Sequence, residues 1–274
     1  MTDGPGQETL AAEWPEIDAS VAHAARVYDY WLGGRANFPA DRDAAEQAIA
    51  ANPDIVPEVR ANRAFLGRAV RYLAEGAGLR QFLDIGTGIP AGNSTHEVAQ
   101  RIAPDSRVVY VDSDPVVLAH AHYLLQGTPG DQCAYIFADL RDPDGIWRQA
   151  TATLDAGLPV AVLMVAVLQH LPDADDPHGI VARVMAELPA GSYLVISHPA
   201  SDIGAGQVAR SMRRYNERAR GPATARTQAE VTRFFDGLDL AGPGVVQLPQ
   251  WRPDPGDAAP AQSLPWWCGA ARKP

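Results

Sequence analysis

The hydrophobic pattern of the chain changes near residue 79. Up to that point, apolar residues recur every three or four positions, as they do along one face of a helix. Closely spaced glycines follow two of these segments and predict where the helices end. The predicted helices are residues 18–32, a segment beginning near Asp41, and residues 57–78. The sequence thus predicts a flexible tail over residues 1–17 and a helical segment over residues 18–78.

From residue 79 onward, short apolar runs alternate with helical segments. The runs lack internal polar alternation, so strands formed by them are buried on both faces. The five runs are residues 81–85, 107–112, 133–139, 159–168 and 192–198, and two more candidate strands are residues 245–248 and 265–273. Strands that alternate with helices predict an α/β fold with a parallel sheet covered on both sides. Residues 79–274 are therefore predicted to form one domain.

Composition disfavours several function classes. The formal net charge is -10, which argues against binding nucleic acid through phosphate contacts. Cys133 and Cys268 are far apart and in no CxxC pattern, so neither a disulfide framework nor a zinc site is predicted. The polar N-terminus shows no secretory signal, and no apolar run is long enough to span a bilayer. These features predict a soluble, cytoplasmic protein without nucleic-acid or membrane partners.

A tight glycine turn follows the first strand of the alternating block, in FLDIGTGIPAGN. Gly86 and Gly88 allow a sharp turn and close approach of a ligand, because neither has a Cβ. Asp84 stands two residues before the turn, Asp112 ends the second strand and Asp139 ends the third. Ligands of open α/β sheets bind beyond the carboxyl ends of the strands. The three carboxylates are therefore predicted to surround one crevice.

The charge of this crevice distinguishes two kinds of nucleoside ligand. A dinucleotide places an anionic pyrophosphate at the glycine turn, where Asp84 would repel it, and Pro90 disrupts the pattern G-x-G-x-x-G. S-adenosylmethionine has an ammonium and a sulfonium and no phosphate, so carboxylates attract it. Asp112 can accept hydrogen bonds from ribose hydroxyls, and Asp139 can accept one from the adenine amino group. S-adenosyl-L-methionine is therefore the predicted cofactor.

Several motifs carry a resemblance to known proteins. They are FLDIGTG (82–88), VVYVDSDP (108–115), FADL (137–140) and VLQHLPD (167–173). In these motifs the chain resembles the class I S-adenosylmethionine-dependent methyltransferases, and Pro90 is a departure from their usual D-x-G-x-G-x-G. Nearly the whole chain after about residue 18 is similar to the actinobacterial S-adenosyl methyltransferase family, through RVYDYWLGGRANFPADR (26–42), VAVLQHLPDADDP (165–177) and RFFDGLDLAGPGVVQLPQWRP (233–253).

The resemblance implies a fold and a set of donor contacts. The fold is a Rossmann-like, mostly parallel sheet of seven strands with an antiparallel last strand, helices on both faces and an N-terminal helical lid region. The implied contacts with the methionine part of the donor are Asp84, Gly86 and Gly88. Asp112 would contact the ribose, Asp139 and Leu140 would contact the adenine, and the segment from Val165 to His170 would lie beneath the sulfonium. Thr87 and Ser113 are further cofactor-binding residues of the same motifs.

Histidines that follow the sheet strands are candidates for the chemistry. Methyl transfer needs mainly positioning and desolvation, and a hydroxyl acceptor also needs a general base. His170, after the fourth strand, is the best candidate base, and His198, after the fifth, is weaker. Packing against the donor is the alternative role of His170. His120 and His122 are predicted to lie on a helix surface.

The stretch YDYWLGGRANFPAD crowds aromatic and charged residues beside a Gly-Gly pair. A helix packed by its aromatic residues and ended by glycine would explain it without a ligand. We predict instead a lid over the donor, with Tyr28 as a further candidate for the chemistry. The residues predicted to face the pocket are Tyr28, Asp29, Gly34 and Asn37.

Two charged segments remain. Arg210, Arg214 and Arg218 share one helix face, which indicates a solvated surface or, alternatively, a site for an acidic acceptor. The acidic segment DADD (173–176) is predicted to be a solvated loop and helix start, because its spacing does not specify a cation. No metal is predicted.

Methyl transfer to a small-molecule acceptor is the function that the sequence predicts. A donor-binding protein without catalysis is the main alternative. A nucleic-acid methyltransferase is disfavoured by the acidic charge and by VLQH after the fourth strand, which is unlike the stacking motif D-P-P-Y. A nicotinamide-dependent oxidoreductase is disfavoured by Asp84 and Pro90.

Overall fold

A computed structural model of the chain describes residues 17–90, 92–125, 132–217, 221–255 and 263–274, with only the backbone of residues 122–125. The predicted tail lies almost wholly outside these ranges, as do Arg218 and the side chain of His122.

A mixed sheet forms the centre of the fold. Its strands in the described ranges are β1 (Gln81–Ile85), β2 (Arg107–Asp112), β3 (Cys133–Phe137), β4 (Ala161–Val165), β5 (Tyr193–Pro199), β6 (Asp239–Leu240), β7 (Val246–Gln247) and β8 (Trp266–Arg272). Their order is β3-β2-β1-β4-β5-β8-β6, and β7 also pairs with β8. The first five strands are parallel, and β8 is antiparallel to its neighbours. The predicted fold class is confirmed. The described sheet has eight strands rather than seven, because two short strands share the edge of β8.

Helices cover the sheet and precede it. They are α1 (Ala24–Trp31), α2 (Pro39–Ala51), α3 (Ile55–Arg71), α4 (Thr95–Ile102), α5 (Pro115–Leu125), α6 (Pro143–Ala150), α7 (Pro177–Ala186), α8 (Ala205–Asn216) and α9 (Gln228–Arg233). The first helix begins at Ala24, not near residue 18. The Arg26 guanidinium binds the carbonyls of Asp18 and Val21 at 3.1 and 2.9 Å, which fixes the preceding residues outside the helix.

Burial on both sides of the sheet explains the continuous apolar runs. All five residues of β1 are buried. On one face, Leu83 packs in a cluster with residues of α6, α7 and α9; on the other, Phe82 packs with residues of α3 and α4. A smaller cluster that includes Val27, Ala44 and Tyr215 joins α1, α2 and α8. These three helices therefore pack together as a separate layer. Within the described ranges, no helix is long and apolar enough to cross a membrane.

Candidate functional site

A cavity of about 770 Å³ lies beyond the carboxyl ends of the parallel strands. Residues of α1, α3 and α8 also line it, so that helices and strand ends together enclose the space. Its volume falls in the usual range for small-molecule sites. The predicted site residues that line it are Tyr28, Asp84, Gly86, Thr87, Gly88, Asp112, Ser113, Asp139, Leu140, Val165 and His170.

The glycine turn after β1 depends on the absence of side chains. Gly86 has a φ of +74°, and a Cβ there would lie 2.3 Å from Cγ2 of Val167. Its amide donates to the Val111 carbonyl at 2.8 Å, which bends the chain toward β2. Gly88 has a φ of +66°, and no heavy atom of the described residues lies within 4 Å of a Cβ built on it. A ligand can therefore approach the backbone at Gly88.

Asp84 is a buried carboxylate at the start of this turn. It is 5% exposed, and its Oδ2 accepts a hydrogen bond of 2.6 Å from the Thr95 hydroxyl. Burial raises the pKa of Asp84 to about 6, against the opposing effect of the positive charge of Arg63. Arg63 lines the same cavity. The two side chains offer opposite charges to one ligand, which suits the ammonium and carboxylate of an amino acid.

The other two acids differ from Asp84 and from each other. Oδ2 of Asp112 accepts a hydrogen bond from the amide of Gly88 at 2.8 Å, and burial raises the pKa of Asp112. Asp139 is half exposed and pairs with Arg141 at 3.2 Å. Phe137, which is 44% exposed, adds an apolar ring to the cavity beside Asp139. The third strand was predicted to end at Asp139, but β3 ends at Phe137, and the ring of Phe137 was not predicted as part of the site.

The fourth strand ends at Val165 rather than at Leu168. Ala166 adopts the left-handed conformation, with a φ of +57°, and this turns the chain out of the sheet. Its amide donates to the Ser197 hydroxyl at 3.1 Å, and its carbonyl accepts from the amide group of Gln169 at 2.7 Å. A strained backbone fixed by hydrogen bonds is common at functional sites.

A chain of hydrogen bonds connects this turn to α1. The Ser197 hydroxyl donates to Oδ1 of Asn62 at 2.6 Å, and Nδ2 of Asn62 donates to the Tyr28 hydroxyl at 2.9 Å. The Tyr28 hydroxyl donates in turn to the Val59 carbonyl at 3.1 Å. Neither Asn62 nor Ser197 was predicted from the sequence as part of the site. The signal available was a polar residue at position 62, between the apolar positions of α3.

The protonation of Tyr28 and His170 limits their chemistry. Burial raises the pKa of Tyr28 to about 12, and both hydrogen-bonding capacities of its hydroxyl are in use. Burial lowers the pKa of His170 to about 4, so its ring is neutral at pH 7. Its Nε2 lies 3.3 Å from Nε2 of Gln169. His170 is therefore a weak base, and the Tyr28 hydroxyl is already hydrogen-bonded. Both side chains are better suited to positioning a ligand than to abstracting a proton.

The remaining predicted lid residues build a turn outside the cavity lining. Oδ2 of Asp29 accepts hydrogen bonds from the Ala36 amide and the Asn37 side chain, at 2.9 and 2.8 Å. Gly34 lies so close that a Cβ on it would be 1.9 Å from Oδ1 of Asp29. The carboxylate therefore organises the connection between α1 and α2, and Tyr28 is the member of this group that lines the cavity.

Buried ionic contacts tie α1 to the sheet and to α2. Nδ1 of His23 lies 2.7 Å from Oδ2 of Asp114, the residue two positions after β2. Nε of Arg26 lies 3.4 Å from the same oxygen and 3.5 Å from Asp41. Burial of Asp114 opposes its ionisation, but the contact with His23 and the charge of Arg26 lower its pKa overall. These contacts fix α1, which carries Tyr28, against the sheet and α2.

Other charged candidates lie elsewhere. His198 is fully buried against Arg226, with its Nε2 at 2.9 Å from the guanidinium, and it does not line the cavity. His120 is exposed. Arg210 and Arg214 line a surface depression with Gln47 and Glu217 instead of the cavity. The acidic segment 173–176 forms ion pairs with Arg226 and Arg141 and caps α7.

Comparison with known proteins identifies the family. A model of the S-adenosyl methyltransferase family matches residues 11–274. A DUF574 family protein from Streptomyces avermitilis is 43% identical, with 94% of this chain and 100% of that chain covered and a TM-score of 0.90. A candidate methyltransferase from Thermobifida fusca is 38% identical, with 96% and 99% covered and a TM-score of 0.88.

More distant structures share the fold alone. The mitomycin 7-O-methyltransferase is 18% identical to this chain, with 94% of this chain and 73% of that chain covered and a TM-score of 0.52. No curated protein sequence matches at a significant level. The chain belongs to the S-adenosyl methyltransferase family and is an S-adenosylmethionine-dependent methyltransferase, with S-adenosyl-L-methionine as its cofactor.

Proposed function

We propose that the protein methylates a small-molecule acceptor inside the cavity, with the donor held at the glycine turn. The observation that carries this proposal is the paired placement of Asp84 and Arg63 beside that turn. Together they match the ammonium and the carboxylate of the methionine part of the donor. When bound, the donor supplies an activated methyl group on its sulfonium.

The rest of the strand edge fits the nucleoside of the donor. Asp112 lies across the turn from Gly88 and has remaining lone pairs for ribose hydroxyls. Phe137 and Leu140 offer apolar surface to the adenine, and Asp139 lies at the rim beside them. The pyrophosphate of a dinucleotide would meet the buried Asp84 and Asp112, whose burial already disfavours negative charge.

Enclosure by helices favours a small acceptor. The segment from Val165 to His170 lines the cavity together with the glycine turn and α8, and the ring of His170 lies 6.2 Å from that of Tyr215 on α8. An acceptor in that part would be screened from water by α1 and α8, and the main contribution of the protein would be orientation of the two reactants. His170, neutral and partly buried, would position the acceptor.

Methyl transfer is tested by following S-adenosylhomocysteine formation from S-adenosylmethionine. The assay adds the low-molecular-weight or the macromolecular fraction of a cell extract in separate reactions, with extract-free protein and heat-denatured protein as controls. We expect product that depends on both folded protein and extract. Product that requires the macromolecular fraction of the extract would contradict a small-molecule acceptor.

We further propose that α1 acts as a lid over the donor, and Tyr28→Phe tests this. The change leaves Nδ2 of Asn62 without its acceptor and removes the link to Val59. Donor affinity is expected to fall about tenfold, because an unsatisfied buried group costs about 1–3 kcal/mol and makes the closed lid less populated. Calorimetric titration with S-adenosylhomocysteine measures the effect.

Tyr30→Phe is the matched control for the lid prediction. It removes a hydroxyl of the same helix that donates to Glu46 at an exposed site. Wild-type affinity is expected for this variant. Equal donor affinity of Tyr28→Phe and wild type would contradict the lid.

A further inference from the structure

Besides the glycine turn, the cavity is lined by helical residues and by residues that follow β4 or begin β8, and we call the part they line the far compartment. Its walls include Trp31, Asn52, Glu58, Gln169, Tyr215 and Trp266. On α3, Glu58 precedes Asn62 by one helical turn, which is about 6 Å along the axis. Asn62 connects to the turn after β4, and Arg63 is close enough to affect the pKa of Asp84. The far compartment therefore lies beyond the donor part along this helix.

Glu58 is the charged group of this compartment. It is 5% exposed, and its two oxygens accept hydrogen bonds from Asn52 at 2.8 Å and from the Trp266 indole at 3.1 Å. The orientation of Asn52 is fixed, because its Oδ1 accepts from Gln207 and from the amide of Asp54. Both neighbours of Glu58 are thus donors, and each carboxylate oxygen keeps a lone pair for a further partner.

A positive partner for Glu58 is missing within the described ranges. No ion pair there joins it to a basic side chain, and burial together with nearby Asp54 raises its pKa. The cationic side chains that line the cavity act elsewhere. Arg141 pairs with two aspartates, His23 contacts Asp114, and Arg63 acts on Asp84 in the donor part. A buried carboxylate without a cation is costly, and a positively charged ligand would relieve that cost.

The other walls also suit a ligand that donates hydrogen bonds. Oε1 of Gln169 is buried and has no hydrogen-bond partner among the residues that the structure describes, while its Nε2 is fixed by the Ala166 carbonyl. Ring centroids of Tyr28 and Trp31 are 6.4 Å apart, and those of Trp31 and Tyr215 are 6.5 Å apart, so aromatic rings form one continuous wall. Aromatic faces attract organic cations.

We propose that the far compartment binds a small organic amine as the methyl acceptor, with its ammonium paired to Glu58 and its apolar body against the aromatic wall. This inference rests on the proposed function, because the same cavity must hold the donor. It makes an acidic acceptor unfavourable, since a second carboxylate would face Glu58 at a buried site. Arg210 and Arg214, which could have bound an acid, lie outside the cavity.

Three probes of similar shape test the inference on the full chain saturated with S-adenosylhomocysteine. They are phenethylamine, 2-phenylethanol and 3-phenylpropionate, which are cationic, neutral and anionic at pH 7.5. Affinity is measured by saturation-transfer NMR with titration. We expect phenethylamine to bind at least about tenfold more tightly than 3-phenylpropionate. The ammonium would form a charge-assisted hydrogen bond with Glu58, whereas the carboxylate of 3-phenylpropionate would be repelled by it. Equal or reversed affinities, or no measurable amine binding, would overturn the inference.

Glu58→Gln identifies the group responsible. It keeps the size of the side chain and removes its charge, so phenethylamine affinity is expected to fall about tenfold while that of 2-phenylethanol changes less. Glu75→Gln is the matched control, because Glu75 is an exposed glutamate in the helical turn that follows α3. Wild-type amine affinity is expected for this control. Unchanged amine affinity of Glu58→Gln would overturn the assignment.

The design separates this inference from the proposed function. Binding of S-adenosylhomocysteine is measured first, and its absence from folded wild-type protein would contradict the donor site itself. Binding of S-adenosylhomocysteine without preference for the amine would contradict the far compartment alone. The wild-type comparison of the three probes remains decisive if Glu58→Gln does not fold.

Discussion

Asp84→Asn is expected to weaken S-adenosylhomocysteine binding about 100-fold, or about 2.7 kcal/mol, as for loss of a charge-assisted hydrogen bond in a buried site. The carboxylate is a buried negative group two residues before Gly86, and it lines a cavity that Arg63 also lines. An asparagine keeps an oxygen for the Thr95 hydroxyl, so the local hydrogen bond survives. Isothermal calorimetry on wild type and variant measures the change.

Folding is expected to be unaffected by this substitution. Burial raises the pKa of Asp84, which means that its ionised form is unfavourable in the folded protein. Removing the charge of this side chain at pH 7.5 should therefore not lower the free energy of unfolding. A chemical denaturation curve serves as the control. A folded variant with wild-type donor affinity would contradict the placement of the ammonium at Asp84.

The same residue predicts a pH dependence. Its pKa of about 6 means that Asp84 gains a proton as the pH falls from 7.5 to 5. The ligand ammonium attracts only the ionised form, so wild-type affinity should be constant above pH 7 and fall below pH 6, approaching about tenfold per pH unit. Asp84→Asn should lack this component. An identical pH profile for wild type and variant would contradict it.

Arg226→Met is expected to lower the free energy of unfolding by about 3 kcal/mol, because several buried acceptors lose their donor. The Arg226 guanidinium donates to the carbonyls of Leu168 and Leu171, at 3.1 and 2.9 Å, and contacts Nε2 of His198 at 2.9 Å. It is 3% exposed. The loop it holds follows β4 and lines the cavity, so donor affinity should fall as well. Denaturation and calorimetry measure the two effects.

Arg233→Met provides the matched control for Arg226. Arg233 is an exposed arginine in the last turn of α9, a few residues away in the sequence. Its replacement should change stability by less than about 0.5 kcal/mol. Equal stability of the two variants would show that the buried guanidinium does not hold the loop.

The strand edge was predictable from sequence because local signals define it. A continuous apolar run predicts a buried strand, and a glycine turn at its end predicts a place where backbone meets ligand. These local patterns predict Asp84, Gly86 and Asp112 as site residues, and all three line the cavity. The shortened fourth strand was not predictable, since the left-handed turn at Ala166 depends on Ser197 and Gln169.

The residues that α3 contributes to the site could not be predicted from local sequence patterns. Asn62, Arg63 and Glu58 precede the first strand and reach the cavity only through the packing of α3. The periodicity of this amphipathic helix places Asn62 between apolar positions, but it does not show that this residue and its neighbours line a cavity. Asp29 was predicted to face the pocket because it lies beside Tyr28 in the sequence. Its carboxylate instead accepts hydrogen bonds from Ala36 and Asn37 in the turn between α1 and α2.

Calorimetric titration of the wild-type protein with S-adenosylhomocysteine, compared with NAD under the same conditions, tests the donor site most directly. Asp84, Arg63 and Asp112 should give saturable binding of one S-adenosylhomocysteine per chain and no heat of binding with NAD. Folded protein that binds NAD, or that gives no heat with S-adenosylhomocysteine, would contradict this account.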